Sequence, residues 1–406
     1  MKLLIKLLII TAVFTLSLST AFSQDTPEIT AFSAVLINAK TGQVLYGKNM
    51  HKPMHPASTS KIMTAIIALE HGNLNDIVTA SKNATRVIGT RIYLEAGEEL
   101  TLHQLLYALL LRSANDAAIA IAEHIAGSVE NFVKMMNAKA KELGCKNTNF
   151  TNPHGLTHEN HLISAYDMAL IASYAMKNET FRKIVSTHSF TIPWKDKDYD
   201  RLLVNTNDLL RMYKGTDGIK TGYTSKAGQT IVASAIRGNN RLICVLFRSQ
   251  GKNLWYDAIK LLDYGFENFD FVSSLKSGKI IKIIPVKYGG DVALVAQEDF
   301  NYVVSEESKA EIQEKLVIME NITAPIKKGQ VLGKIEYFLE DKKIGEVNLV
   351  AQKGIRRKFY TYPSVWILSL IGFLTILLFL IKFKKKNSMR KTKINYISVQ
   401  KLYYRK

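Results

Sequence analysis

Cysteine is scarce in this 406-residue chain. Only Cys145 and Cys244 occur, which leaves room for one disulfide at most. Cys244 lies in the apolar, strand-like run 242–247, and both cysteines read as buried free thiols. Internal repeats and low-complexity segments are absent, which excludes a repeat array. Acidic residues are few as well: 35 Asp and Glu face 54 Lys and Arg, a formal charge of +19. Ten of those cations lie from Lys382 onward with no acid among them, and Lys2 and Lys6 open the chain, leaving +7 for the rest. The basicity is therefore concentrated at the termini. It is no argument for nucleic acid, and no nucleic-acid partner is expected. Charge-free hydrophobic runs of membrane length are also rare, and the clearest lies near the C-terminus.

That run, 363–381, holds 19 residues without a charge, enough to cross a bilayer core. Lys382, Lys384, Lys385 and Lys386 follow it, and Tyr362 and Trp366 mark its other end. Positive flanks stay on the cytoplasmic side. Residues 1–23 read as a signal peptide, with Lys2 and Lys6 before a mostly apolar stretch and small residues at Ala21 and Ser23. The expected protein is exported and anchored in the cell membrane by one span, with its bulk on the extracytoplasmic side. A basic tail, 382–406, then remains inside.

Between these ends the pattern divides in two. Residues 24–270 mix strand-like runs at both ends with helices between them. A hairpin is expected over 31–48 and helices over 101–112, 115–126, 128–143 and 164–176, with stops at Gly127 and Gly144. Three strands (219–223, 230–236, 241–247) and a closing helix (254–264) follow. This predicts an α+β domain with helices packed on an antiparallel sheet. Residues 271–353 alternate short β-like runs with turns and are expected to form a small all-β domain. Residues 354–362 read as a basic linker to the span.

The chemistry centres on Ser58 and Lys61. A serine hydroxyl needs a base, and a lysine three residues on along a helix lies on the same face. The apolar run after Lys61 predicts a buried helix, which would lower the lysine's pKa toward the neutral amine. Four other Ser-x-x-Lys matches begin at Ser249, Ser273, Ser388 and Ser398, so spacing alone decides nothing. Ser113 and Asn115 stand at a break between two helices, where either could instead cap the next helix. Ser81-Lys82-Asn83 has the same form. Lys220-Thr221-Gly222 opens a strand whose cation and hydroxyl suit a carboxylate and whose glycine lets a substrate backbone approach. Lys40-Thr41-Gly42 repeats the pattern within a turn.

The order of Ser58-x-x-Lys61, Ser113-x-Asn115 and Lys220-Thr221-Gly222 resembles the signature of serine penicillin-recognising enzymes. With Asn152-Pro153-His154-Gly155-Leu156 and Leu261-Leu-Asp-Tyr-Gly265-Phe it is similar to the low-molecular-mass D-alanyl-D-alanine carboxypeptidases, over residues 29–270. Ala324 to Gly329 resembles, more loosely, the β-rich C-terminal domain of that family. The resemblance implies a fold of the β-lactamase and penicillin-binding type. It implies Ser58 as acylated nucleophile, Lys61 as general base and Ser113 as proton relay. Asn115, Lys220, Thr221, Gly222 and Tyr223 would bind substrate, with the backbone N–H groups of Ser58 and Tyr223 holding the oxyanion. His154 is read as structural. Arg248 is read as either a carboxylate ligand or a plain surface residue. The implied reaction removes the terminal D-alanine from peptidoglycan stem pentapeptides with no metal or other cofactor, and β-lactams are implied as covalent inhibitors. Rival readings are a D,D-endopeptidase or transpeptidase, a β-lactamase, for which only Glu159 stands at a comparable place, and a non-catalytic β-lactam sensor.

Overall fold

The computed structural model describes residues 26–305, 312–339 and 342–403; the expected leader lies outside them. The described chain divides into two compact units, one of residues 26–272 and 301–305, the other of 273–300 and 312–403.

The first unit is built on a five-stranded antiparallel sheet in the order β2-β1-β7-β6-β5. β1 (Ser33–Asn38) and β2 (Val44–Lys48) form the N-terminal hairpin. β5 (Thr216–Thr224), β6 (Gly228–Arg237) and β7 (Asn240–Ser249) come from far later in the chain. β1 pairs with β7, joining the two ends of the unit in one sheet. All six residues of β1 and the centre of β7 are buried, because both faces of the sheet are covered. Strand alternation sorts the side chains. Val35, Ile37, Ile243, Val245 and Phe247 enter the main helical core, while Ala34, Leu36, Leu242, Cys244 and Leu246 face α7 (Asn253–Asn268).

The main core is helical: α1 (Lys61–His71), α2 (Leu102–Leu111), α3 (Asn115–Ala126), α4 (Val129–Glu142), α5 (Ala165–Ala175) and α6 (Glu179–Ser186). A capping box of Thr101 and Gln104 starts α2. α3 ends at Gly127 with φ +74°, a left-handed stop that suits glycine. α6 and the hairpin of β3 (Ser189–Ile192) and β4 (Arg201–Val204) were not expected. α6 is only eight residues long, and β3 and β4 four each, too short for a periodicity signal. A buried ion pair of Arg201 with Glu98 ties β4 to the loop before α2, and Arg201 also donates to the Tyr93 carbonyl at 3.2 Å.

The second unit holds a five-stranded antiparallel sheet, β8 (Ile280–Pro285), β9 (Asp291–Ala296), β10 (Ile312–Ile318), β11 (Val331–Leu339) and β12 (Lys342–Ala351), in the order β8-β9-β12-β11-β10. Residues 354–362, expected as a linker, are tied to this domain. Ile355 bridges Ile326, and Lys358 N–H donates to the Tyr288 carbonyl at 2.9 Å. α8 (Pro363–Tyr403) follows, and its part Pro363–Arg390 is long and apolar enough to cross a membrane. The helix continues through the lysine cluster at 382–386 rather than stopping there.

Cys145 and Cys244 are both free; Cys244 is fully buried and Cys145 only partly. Burial raises both thiol pKa values, that of Cys145 to about 12, so neither is a thiolate at neutral pH.

Candidate active site

Ser58 does not lie on the first turn of an α-helix, as the apolar run suggests. It lies in a 3-10 turn, Ala57–Ser60, that precedes α1. The cause is local hydrogen bonding: Thr59 Oγ1 donates to the Pro56 carbonyl at 2.8 Å and Ser60 Oγ to the Ala57 carbonyl at 3.1 Å. Such i to i−3 bonds from short side chains compete with α-helical pairing. Ala57 has φ +52°, so the chain turns sharply just before the serine. Ser58 remains partly exposed while Ala57, Thr59, Ser60 and Lys61 are buried.

Lys61 is fully buried at the start of α1. Its Nζ lies 3.0 Å from Ser58 Oγ, 2.7 Å from Asn115 Oδ1 and 2.6 Å from the His154 carbonyl. Burial, and then the charge of Lys220, hold its pKa well below the ordinary lysine value, against the opposing pull of Asp116. A neutral amine has two N–H groups and one lone pair. Asn115 Oδ1 and the His154 carbonyl are acceptors only and take both N–H groups. The lone pair is then left for the Ser58 hydroxyl. The three partners thus fix the direction in which a proton can move.

Asn115 is held in turn. Its Nδ2 donates to the Ile88 carbonyl at 2.7 Å, which orients Oδ1 toward Lys61. Its side chain is bound to the protein at both ends, whereas the resemblance implied a substrate contact. The loop carrying Ile88 is pinned by Asp116, whose carboxylate accepts from the N–H groups of Ile92 and Leu94. Ser113 has φ +64° in the turn between α2 and α3 and makes no hydrogen bond to another described residue. Neither Ser113 nor Asn115 caps α3, whose N-cap is Ala114 without a side-chain bond. Ser81, in the similar Ser-Lys-Asn, does cap a short helix, at 3.0 Å from Ala84 N–H. Ser249, at the head of another Ser-x-x-Lys, is bonded to Asp257 at 2.5 Å. Lys40-Thr41-Gly42 lies in the β1–β2 turn, where Asn38 Oδ1 accepts from the N–H groups of Lys40 and Thr41.

β5 is the edge strand of the sheet and the far wall of the site. Lys220 is buried on it, donating to the Thr221 carbonyl at 3.0 Å, and makes no ion pair among the described residues. Desolvation brings its pKa down to about 7. A buried cation without a counterion is poised for an anionic ligand. Thr221 Oγ1 is 3.2 Å from Thr206 Oγ1. Gly222 is required by contact: a Cβ there would stand 2.7 Å from Ser58 N and 2.7 Å from Thr230 Oγ1. β5 therefore lies directly against the turn that carries Ser58. The Tyr223 side chain is exposed. Arg248 is exposed too, with φ +57°, at the bulge between β6 and β7, and its guanidinium bonds to no other described residue.

Several supporting groups carry no motif. His154 supplies its backbone carbonyl to Lys61, while its ring accepts from Leu156 N–H at 3.2 Å. His161 lies under the turn that carries Ser58. Its Nδ1 accepts from Thr151 N–H at 3.0 Å, so Nε2 carries the proton and donates to Ser60 Oγ at 2.8 Å. Burial is the main reason that both imidazoles have a pKa of about 3. Gly155 has φ +86°, and a Cβ there would collide with the Ala57 carbonyl. The motif 152–156 signalled this loop, but no feature of the sequence pointed to Ser60, Thr230 or His161.

Residues 20–251 match the family described as D-alanyl-D-alanine carboxypeptidase, and residues 269–357 match the C-terminal domain of penicillin-binding protein 5. The chain is 39% identical over 336 residues to D-alanyl-D-alanine carboxypeptidase DacF of Bacillus subtilis, covering 80% of this chain and 86% of that protein. It is 32% identical over 378 residues to DacA of Escherichia coli, covering 86% of this chain and 92% of that protein. Among solved structures it resembles penicillin-binding protein 5 of Haemophilus influenzae with a TM-score of 0.73 and 34% identity, over 82% of this chain and 99% of that one. Residues 26–251 of the first unit fall within the first matched region, and the C-terminal sheet, 280–351, falls within the second.

Proposed function

The chain belongs to the D-alanyl-D-alanine carboxypeptidase family, and on that premise we propose that it releases the terminal D-alanine of peptidoglycan stem peptides through an acyl-enzyme on Ser58. As a penicillin-binding protein it acts on peptidoglycan peptides and binds β-lactams. Lys61 takes the Ser58 hydroxyl proton as Oγ attacks the penultimate D-alanine carbonyl. The backbone N–H groups of Ser58 and Tyr223 receive the oxyanion. The tetrahedral species collapses with cleavage of the C–N bond, and the proton held by Lys61 passes through Ser113 to the departing amine. Water then hydrolyses the ester, restoring the serine and releasing a shortened peptide with a new carboxylate. Lys220, with Thr221, binds the terminal carboxylate, and that anion in turn stabilises its ammonium. Asn115 positions Lys61.

The observation that carries this reading is the 3.0 Å contact between Ser58 Oγ and a buried Lys61 whose other two partners are acceptors. The test is D-alanine release from a D-Ala-D-Ala-terminated pentapeptide, together with labelling by a fluorescent penicillin. Ser58→Ala should lose both by several orders of magnitude. Undiminished labelling, mapped to Ser249 or Ser273, would overturn the assignment. We further propose that α8 crosses the cell membrane, with residues 24–362 on the extracytoplasmic side. The basic residues after the apolar run favour that direction.

A further inference from the structure

The C-terminal β domain gathers cations at the end from which α8 departs. Three segments meet there through the backbone. Residues 286–290 pair with 322–324 through the bonds of Lys287 N–H to the Ile322 carbonyl and of Ala324 N–H to the Lys287 carbonyl. Residues 326–329 pair with 351–355 through the Ile326–Ile355 bridge and the bond from Gly329 N–H to the Ala351 carbonyl. Lys358 N–H returns to the Tyr288 carbonyl. Alternation turns Val286, Ala324, Ile326 and Ile355 into the domain core. Lys287, Lys327, Lys328, Lys353, Arg356 and Lys358 are all exposed. Arg357, half-buried, lies between the rings of Tyr288 (4.5 Å) and Tyr362 (4.7 Å). These segments hold seven cations and no acid. None of the seven forms an ion pair among the described residues, whereas Lys334 and Lys343 of the same domain are paired with Glu336 and Glu346.

Aromatic side chains surround the same spot. Tyr288, Phe359, Tyr360, Tyr362 and Trp366 are all exposed, and Trp366 Nε1 donates to the Tyr360 carbonyl at 2.8 Å, joining the start of the helix to this surface. Unpaired cations attract anionic headgroups, and Tyr and Trp settle at the level of the headgroups. Both sit at the junction of a folded domain with its span. We propose that this end of the β domain is a headgroup-binding surface for anionic phospholipid of the leaflet it faces, with Lys287, Lys327, Lys328, Lys353, Arg356 and Lys358 as its phosphate ligands. The domain then rests on the bilayer through a built contact and not on a loose tether. The proposal rests on the reading of α8 as a span.

The test uses the full chain reconstituted in vesicles of phosphatidylcholine alone or with phosphatidylglycerol. A membrane-impermeant amine reagent and mass spectrometry report the labelling rate of each lysine. Lys287, Lys327, Lys328, Lys353 and Lys358 should label at least about threefold more slowly on the anionic vesicles. Lys276 and Lys279, exposed at the other end of the β8–β9 hairpin, should not change. The variant with Lys327, Lys328 and Lys353 each replaced by Gln should lose the protection of Lys287. Equal labelling on both lipids, in a chain that resists carbonate extraction, overturns the headgroup surface and leaves the span intact. Equal protection by millimolar inorganic phosphate on phosphatidylcholine vesicles also overturns it, by showing a site for free anions. Release of the chain by carbonate removes the span and the proposal with it.

Discussion

Replacing Gly222 by alanine tests the packing of β5 against the turn that carries Ser58. The new Cβ would stand 2.7 Å from Ser58 N, 2.7 Å from Thr230 Oγ1 and 3.0 Å from Ala57 Cβ. Ser58 N is backbone, and Thr230 Oγ1 is held by the carbonyls of Pro56 and Gly222. Neither can swing away, so the strand must retreat by about 0.7 Å to reach ordinary contact. Thr230 and the Pro56 carbonyl transmit the strain to both sides of the cleft. Overpacking of this kind costs about 1–3 kcal/mol in stability. The catalytic cost should be larger in proportion, because the backbone N–H groups proposed to hold the oxyanion, those of Ser58 and Tyr223, lie on the two surfaces being forced apart. Loss of one such donor costs roughly 10²–10³ in kcat. The assay is D-alanine release and acylation by a chromogenic β-lactam, read beside a thermal melt. We expect a protein that melts a few degrees lower, with kcat down by roughly 10²-fold. Wild-type kcat in a folded Gly222→Ala protein would refute the close approach of strand and turn as a condition of catalysis.

Lys61→Arg should cut acylation roughly 10²–10⁴-fold, since a guanidinium stays protonated and cannot serve as base. In the wild type, kcat/KM should rise as Lys61 loses its proton and fall again near pH 7 as Lys220 loses its own. Lys220→Arg should keep the acid limb and lose the alkaline one; an unchanged alkaline limb would detach it from Lys220. His154 and His161 have pKa values of about 3 in the folded protein, against 6.5 for an ordinary histidine. The unfolded chain therefore binds protons first as pH falls, and folding should weaken by about 2 kcal/mol per histidine between pH 7 and 5. His161→Gln should remove about half of that slope in denaturant titrations, and stability flat across this range would show that the rings are not held neutral. Glu98→Gln leaves the buried Arg201 without its partner and should cost about 3–5 kcal/mol by the same titrations. A loss below about 1 kcal/mol would show that the pair does not hold the loop before α2.

The sequence by itself determined the elements whose signals are local. The apolar periods of α1 to α5, the stops at Gly127 and Gly144, the β-rich character of residues 271–353 and the charge-free run before Lys382 all follow from neighbours a few positions apart. The motif order also singled out Ser58, Lys61, Ser113, Asn115 and Lys220 from decoys of the same spacing. Those decoys have their own local duties, as Ser81 shows by capping a helix and Ser249 by bonding Asp257. Only the tertiary structure decided how the site works. Lys61 meets Asn115 across 54 positions and the His154 carbonyl across 93, and Ser60 meets His161 across 101. A backbone carbonyl has no residue type to announce it, so the role of position 154 in holding Lys61 was invisible. The need for Gly222 depends on where β5 comes to rest. Residue type is written in the chain, but direction and distance arise only when segments far apart in sequence are packed against one another.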